Sequence, residues 1–208
     1  MTENRILLLL FHPRFENSNS NKALLHAAQL LNNITIRDMY EIYPDYNIDL
    51  QAEKEILTHH DIIIWQHPFY WYSSPPLMKQ WIDIVLEHGW AYGKGGDKLA
   101  GKSVMNVISS GGNFEVYQKN GRNRFTYREL LSPFDQTAFL CKMNYLPPFI
   151  IPGANKITQE ELEEYSIRYV EILNFLQRTD VDLQKLKSVD YFNDINTEKW
   201  QENYFKTH

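Results

Sequence analysis

The sequence contains a single cysteine, Cys141, among its 208 residues. No disulfide can form within the chain, so the fold must rest on packing, which is typical of a reducing compartment. The chain also lacks an apolar run of the roughly 20 residues that cross a membrane, because the run near its start covers only Ile6 to Phe11. It lacks the cleavage region of a signal peptide as well. We therefore expect a cytoplasmic protein.

An excess of positive charge is also absent. The 26 Asp and Glu residues outnumber the 21 Lys and Arg residues, and the formal net charge is −5. This balance argues against nucleic-acid binding, which generally needs a basic surface, and against direct attachment to anionic lipid. The motifs GxGxxG, GxSxG and HExxH do not occur, and we predict no metal site.

The apolar pattern predicts strands and helices in alternation. Apolar or β-branched runs predict five strands, at residues 6–11, 34–37, 61–65, 103–109 and 145–151. Apolar residues at helical spacing predict helices at residues 23–31, 50–58, 75–86, 133–143 and 162–176. Short crossovers of this kind predict an α/β fold, a flavodoxin-like doubly wound five-stranded parallel sheet with helices on both faces. We assign this domain to residues 1–176 and a C-terminal extension to residues 177–208.

The loop after the first predicted strand is rich in small polar residues. Its candidate ligand-binding residues are His12, Ser18, Asn19, Ser20 and Asn21. Ligands of open α/β sheets bind beyond the carboxyl ends of the strands, and hydroxyls and free N–H groups before a helix suit an anion such as phosphate. Ordinary helix capping by Ser or Asn is the alternative explanation.

Two further strands end in unusual loops. The third runs into four consecutive aromatics, Phe69, Tyr70, Trp71 and Tyr72. They either cover a flat ligand or pack as a corner against the next helix. The fourth ends in Ser109, Ser110, Gly111 and Gly112, where two glycines either let the backbone approach a ligand closely or form a simple turn. Since the three loops share one edge of the sheet, together they predict a phosphate at one end and a flat ring system at the other.

Several stretches carry a resemblance to a known family. They are HPRFENSNSNK, YPDYNIDLQAE, IIIWQHPFYWYSSPPLMKQWID, HGWAYGKGGDKLAGK, SSGG and LPPF, spread over residues 5–176. The chain resembles the flavodoxin-like NAD(P)H:quinone oxidoreductases, and among them most the ancillary flavoproteins of glutathione-regulated potassium-efflux systems. The resemblance implies FMN, or alternatively FAD, as bound cofactor and NAD(P)H as co-substrate. By analogy the first loop would hold the flavin phosphate, the aromatic loop would line the isoalloxazine ring, and residues 109–112 would contact its polar edge.

The resemblance also implies the catalytic residues. Quinone reductases of this family use a Tyr and a His after the paired glycines to stabilise charge on the reduced flavin. Tyr117 has the spacing of that Tyr, but Asn123 occupies the His position or lies next to it. An asparagine can donate a hydrogen bond but cannot shuttle a proton at neutral pH. The departure leaves the family's proton relay open.

The loops and the resemblance together predict an NAD(P)H dehydrogenase (quinone), and the resemblance implies that it is a homodimer. A hydride would pass from NAD(P)H to the flavin, and two electrons would then reduce a quinone. In such dimers, aromatic residues of one subunit help to line the site of the other subunit. Trp90 and Tyr92 are the candidates for this role. One alternative is a regulatory ancillary subunit of a potassium-efflux antiporter with secondary redox activity, peripheral at the inner face of the membrane through a protein partner. The other is an electron-carrier flavodoxin.

The extension is one place where contacts with such an antiporter would lie. Its aromatic residues are Tyr191, Phe192, Trp200 and Phe205, and aromatics are favoured in interface cores. The simpler interpretation is that this segment packs on its own domain or on a dimer mate.

Overall fold

One parallel sheet organises the chain. The computed structural model describes residues 3–195 and 204–205, and the strands in these ranges are β1 (Ile6–Leu10), β2 (Ile34–Asp38), β3 (Ile62–Pro68), β4 (Ser103–Ser109), β5 (Asn144–Tyr145) and β6 (Phe149–Ile151). Their order is β2-β1-β3-β4-β5, with β6 also paired to β4, and every pairing is parallel. This is the doubly wound order whose direction reverses between β1 and β3, so the fold predicted from the sequence is confirmed.

Helices cover both faces of the sheet. They are α1 (Asn19–Gln29), α2 (Met39–Ile42), α3 (Leu50–Thr58), α4 (Pro76–Val85), α5 (Tyr127–Leu130), α6 (Ser132–Leu140) and α7 (Gln159–Gln177). In β1, Leu7 and Leu9 belong to a core with α3, α4 and α6, whereas Ile6 and Leu8 belong to a second core with α1 and α7. Successive side chains of a strand alternate between faces. The continuous apolar run in this strand therefore reflects burial on both sides.

Prolines divide one predicted element and separate another from a neighbouring helix. The predicted strand at residues 145–151 forms two short pieces, because Pro147 and Pro148 have no N–H to give to a sheet. Both pieces stay in parallel register with β4. The predicted helix at residues 133–143 corresponds to α6, and the short helix α5 before it was not predicted from the sequence. Pro133 lacks the N–H that would join the two helices into one.

Strand β3 continues beyond Trp65, where the sequence predicted its end. The next two residues, Gln66 and His67, are polar but fully buried. Gln66 Nε2 donates to the Asn21 carbonyl at 3.3 Å, and Asn106 Nδ2 lies 2.9 Å from His67 Nε2. These partners satisfy the polar groups inside the sheet. The polarity of the sequence alone could not predict these partners, so it could not predict that the strand continues.

The described part of the extension packs on the domain. Its buried residues, which join the core formed with α1 and α7, are Val181, Leu186, Phe192 and Ile195. The side-chain amide of Asn193 accepts a hydrogen bond from Ile150 N–H at 3.0 Å and donates one to the Ile150 carbonyl at 2.8 Å. The ring of Phe192 is not available to a partner while this packing persists. Trp200 lies outside the described residues.

Candidate functional site

The three predicted loops meet around one cavity of about 570 Å³ at the carboxyl edge of the sheet. The predicted residues that line it are His12, Ser18, Asn19, Ser20, Phe69, Tyr70, Ser109 and Gly111. The cavity therefore joins the anion-binding loop, the aromatic loop and the glycine loop, as the strand order requires.

Ser20 is a buried hydroxyl that calls for a ligand. It is 2% exposed, and its Oγ has no hydrogen-bond partner among the described residues. Leaving such a group unsatisfied costs about 1–3 kcal/mol, and a phosphate oxygen would satisfy it. Ser20 lies in the first turn of α1, where free N–H groups and the helix dipole favour an anion.

His12 and Arg14 add polar groups to the same end of the cavity. The Arg14 N–H donates to His12 Nδ1 at 3.2 Å, which assigns the ring proton to Nε2. Burial lowers the pKa of His12, so the imidazole is neutral at pH 7 and Nε2 can donate to an anion. Arg14 is exposed and forms no ion pair within the described chain. Sequence reasoning missed Arg14, although a cation inside this loop was a usable signal.

Asn21 does not line the cavity, but its side chain is hydrogen-bonded to two residues that do. Its Nδ2 donates to the hydroxyls of Ser18 at 3.1 Å and Ser109 at 2.9 Å. Ser18 also accepts from the Asn21 N–H at 3.2 Å and so caps α1. The capping explanation therefore holds for Ser18. The bond to Ser109 fixes the first loop relative to the glycine loop.

The aromatic loop is a tight turn. Trp71 and Tyr72 have φ values of 47° and 64°, and the Ser73 N–H donates to the Tyr70 carbonyl at 3.0 Å. Two consecutive non-glycine residues with left-handed backbone are strained, and such strain is commonly retained at ligand sites. Trp71 is 91% exposed, whereas Phe69 is buried. The four aromatics thus divide: two line the cavity, and two lie at the surface beside it.

Close packing explains the paired glycines. A Cβ at Gly112 would lie 2.6 Å from Val116 Cγ2 and 2.9 Å from Tyr117 Cε2. A Cβ at Gly111 would lie 3.1 Å from Asn155 Nδ2. A side chain at Gly112 would require Val116 or Tyr117 to move, whereas one at Gly111 would require only a small shift of the Asn155 amide. Asn155 also lines the cavity, and sequence reasoning missed it because no motif marks the loop after β6.

Tyr117 belongs to an aromatic cluster next to the glycine loop. Its ring stacks on Tyr127 with centroids 4.0 Å apart and lies 5.8 Å from the Phe69 ring. Burial raises the pKa of Tyr117, so its hydroxyl stays protonated and can donate a hydrogen bond. The Tyr127 hydroxyl donates to the Gly112 carbonyl at 3.0 Å and lies 2.5 Å from Ser110 Oγ. The cluster therefore connects the aromatic and glycine loops.

Asn123 lies at the rim of this cluster. Its N–H donates to the Val116 carbonyl at 2.9 Å, and its Oδ1 accepts from the Tyr72 hydroxyl at 3.5 Å. It does not line the cavity. Tyr117 does not line the cavity either, but packs buried beside Phe69, which does. Both candidate catalytic residues therefore lie next to the aromatic end of the cavity, with Asn123 further out.

Comparison with known proteins identifies the class. The model of the flavodoxin-like fold family matches residues 4–173, and the chain belongs to this family. The uncharacterized NAD(P)H oxidoreductase YdeQ of Bacillus subtilis is 43% identical over 195 residues, which cover 91% of this chain and 99% of the relative. The glutathione-regulated potassium-efflux system ancillary protein KefG of Pectobacterium carotovorum is 42% identical over 169 residues, which cover 81% and 92%. The resemblance stated from the sequence is confirmed.

Two solved structures share the fold. General stress protein 14 of Treponema denticola, in complex with FMN, superposes with a TM-score of 0.79 at 35% identity, over 83% of this chain and 99% of that one. An NADPH-quinone reductase from P. pentosaceus gives a TM-score of 0.74 at 28% identity, over 81% and 96%.

Proposed function

We propose that this chain is a flavin-dependent NAD(P)H:quinone oxidoreductase, with FMN as the bound cofactor and FAD as the alternative. The observation that carries the proposal is the cavity, with the unsatisfied Ser20 hydroxyl at one end and Phe69 and Tyr70 beside the glycine loop at the other. The first end suits a phosphate, and the second suits a planar ring. The relatives named as NAD(P)H oxidoreductase and NADPH-quinone reductase, and the FMN complex, support the same function.

The phosphate end can be assigned residue by residue. When bound, a flavin supplies the redox chemistry, which is acceptance of a hydride from NAD(P)H and release of two electrons to a quinone. Ser20 Oγ and His12 Nε2 would donate hydrogen bonds to its phosphate. Ser18 accepts from Asn21 and keeps its own proton to donate, and Arg14 adds positive charge. These groups would anchor the anion and orient the attached ring toward the aromatic loop.

Tyr117 and Asn123 have unequal roles in this proposal. The buried Tyr117 hydroxyl would donate a hydrogen bond to charge that develops at the ring, which is the kind of contact that favours a transition state. Asn123 would hold the rim through Tyr72 and would not move a proton. Protons for the acceptor would therefore come from solvent rather than from a histidine.

Flavin retention tests the proposal. The purified protein should be yellow, and heat should release FMN. Ser18→Asp preserves the helix cap but places a carboxylate at the proposed phosphate, so like-charge repulsion should abolish retention. Ser188→Asp, at an exposed serine of the extension, is the matched control. Flavin content and titration of the apoprotein with FMN are the measurements, and a colourless protein that takes up neither FMN nor FAD would contradict the function.

We also propose a homodimer in which Trp90 and Tyr92 of one subunit help to line the site of the other subunit. Both pack partly buried against the core that contains α4, and Trp71 of the aromatic loop remains exposed. Light scattering at low protein concentration should report twice the chain mass. A monomer with full activity would refute this assembly.

The 42% identity to KefG supports a second function, that of an ancillary subunit of a potassium-efflux antiporter. In that role the chain would lie at the inner face of the membrane through contacts with the antiporter. Among residues 3–195 no helix has both the length and the apolarity of a membrane span. Co-purification with the antiporter from the same cells, compared with quinone reduction by the isolated chain, separates the two functions.

A further inference from the structure

A second cavity, of about 490 Å³, adjoins the proposed flavin cavity. Gly111 lines both cavities. The second one is lined by Arg122 from the segment after the glycine loop, by Lys156 from the segment after β6, and by Tyr165 from α7. A ligand that touches the ring site at Gly111 can therefore extend directly into it.

The walls of the second cavity carry uncompensated positive charge. Arg122 and Lys156 are both exposed, and neither forms an ion pair with any described residue. Glu161 is the carboxylate on this wall. It already accepts hydrogen bonds from Thr158 N–H at 2.8 Å and Thr158 Oγ1 at 3.0 Å in the cap of α7. Two cations facing one engaged carboxylate suit an anionic ligand.

We infer that this cavity binds the phosphate-bearing adenylate end of NADPH, with Arg122 and Lys156 as its phosphate ligands. The inference rests on the proposed function, since the nicotinamide must reach the ring site while the rest of the dinucleotide leaves by a connected route. Guanidinium and ammonium groups are the usual phosphate-binding side chains. Tyr165 and Ile157 add apolar surface to the same wall, which suits an adenine ring.

Direct binding tests the inference without relying on turnover. The probe is 2′,5′-ADP, titrated calorimetrically into the flavin-loaded protein. Arg122→Ala and Lys156→Ala should each weaken binding about tenfold, which corresponds to about 1.4 kcal/mol, and the double variant about a hundredfold. Lys119→Ala removes a cation from the neighbouring surface, where its side chain is 78% exposed and 3.9 Å from Glu129, and should bind like the wild type. KM for NADPH should rise in parallel while kcat and flavin content stay unchanged.

Three other results would overturn the inference. Equal affinity of wild type and double variant for 2′,5′-ADP would remove the assignment while leaving the oxidoreductase intact. Release of FAD from the wild type, with loss of FAD rather than of 2′,5′-ADP affinity in the double variant, would assign the cavity to the adenylate of the flavin. A wild-type flavoprotein that NADPH does not reduce would instead refute the proposed function, and with it the need for a dinucleotide site.

Discussion

At the scale of single residues, the site depends on polar groups whose partners come from distant parts of the chain. Ser20 and His12 are both buried, and each presents a donor toward a place where an anion fits. The sequence could predict them, because small polar residues before a helix are a local signal. It could not predict that Asn21 would bond to Ser109, or that Asn155 would face Gly111. Those contacts exist only once the strands are paired.

Tyr117→Phe tests the proposed role of one hydroxyl. The ring should keep its stacking on Tyr127, 4.0 Å away, so the melting temperature should not change. Loss of one donor to developing charge should slow flavin reduction by NADPH about tenfold or more. Stopped-flow absorbance measures this step. Reduction at the wild-type rate would make Tyr117 a purely structural residue.

At the scale of elements, β3 extends further than the sequence predicted. Two polar residues of this strand, Gln66 and His67, lie in the protein interior. A buried series of hydrogen bonds satisfies His67. The Tyr145 hydroxyl donates to Asn106 Oδ1 at 2.7 Å, Asn106 contacts His67 Nε2, and His67 Nδ1 lies 3.0 Å from the Pro68 carbonyl. Apolar periodicity indicates where a strand begins, but it cannot reveal polar residues that find partners on neighbouring strands.

His67 makes the stability of this element dependent on pH. Burial lowers its pKa from 6.5 to about 4 in the folded chain. The unfolded chain therefore takes up a proton first as the pH falls. The stabilising contribution is fully present above about pH 6.5 and is lost between about pH 6.5 and 4, for a total of about 3 kcal/mol.

Urea unfolding at pH 7.5, 6 and 5 measures this loss. His67→Gln removes the titrating group and should show a flatter pH dependence, although its stability at pH 7.5 should be lower. The difference between the pH profiles of the wild type and the variant gives the contribution of His67, separate from that of the other histidines. Parallel profiles would show that His67 does not contribute to the pH dependence.

At the scale of the whole molecule, apolar runs and short crossovers predict the order of the strands. No sequence pattern predicts how the extension packs. Its buried residues are irregularly spaced and lie in short 3₁₀ turns or irregular segments, including Lys185–Ser188 and Phe192–Asp194. No helical or strand period marks them. The extension nevertheless reaches the aromatic cluster beside the site, since the Tyr191 ring lies 5.4 Å from Phe114 and 6.4 Å from Tyr127.

Deleting residues 180–208 should therefore destabilise the enzyme. The deletion uncovers apolar surface of the core formed with α1 and α7, and removes a ring that packs on the aromatic cluster. Phe192→Ala, a milder change at a fully buried ring, should cost about 3–5 kcal/mol. Urea unfolding, flavin content and quinone reduction are the measurements. A truncated protein with full stability and activity would instead favour the extension as an antiporter-docking segment.

The amide of Asn193 has a consequence for how separate copies of the chain meet. An open outer strand is a template on which a second molecule can add its own strand, and repeated addition builds fibres. The Asn193 side chain is already hydrogen-bonded to both the N–H and the carbonyl of Ile150. The Phe192 N–H donates to the Pro148 carbonyl at 3.0 Å. The extension thus terminates the sheet from within the same molecule. Loss of that single amide would free the N–H and the carbonyl of Ile150 to pair with a strand of another molecule.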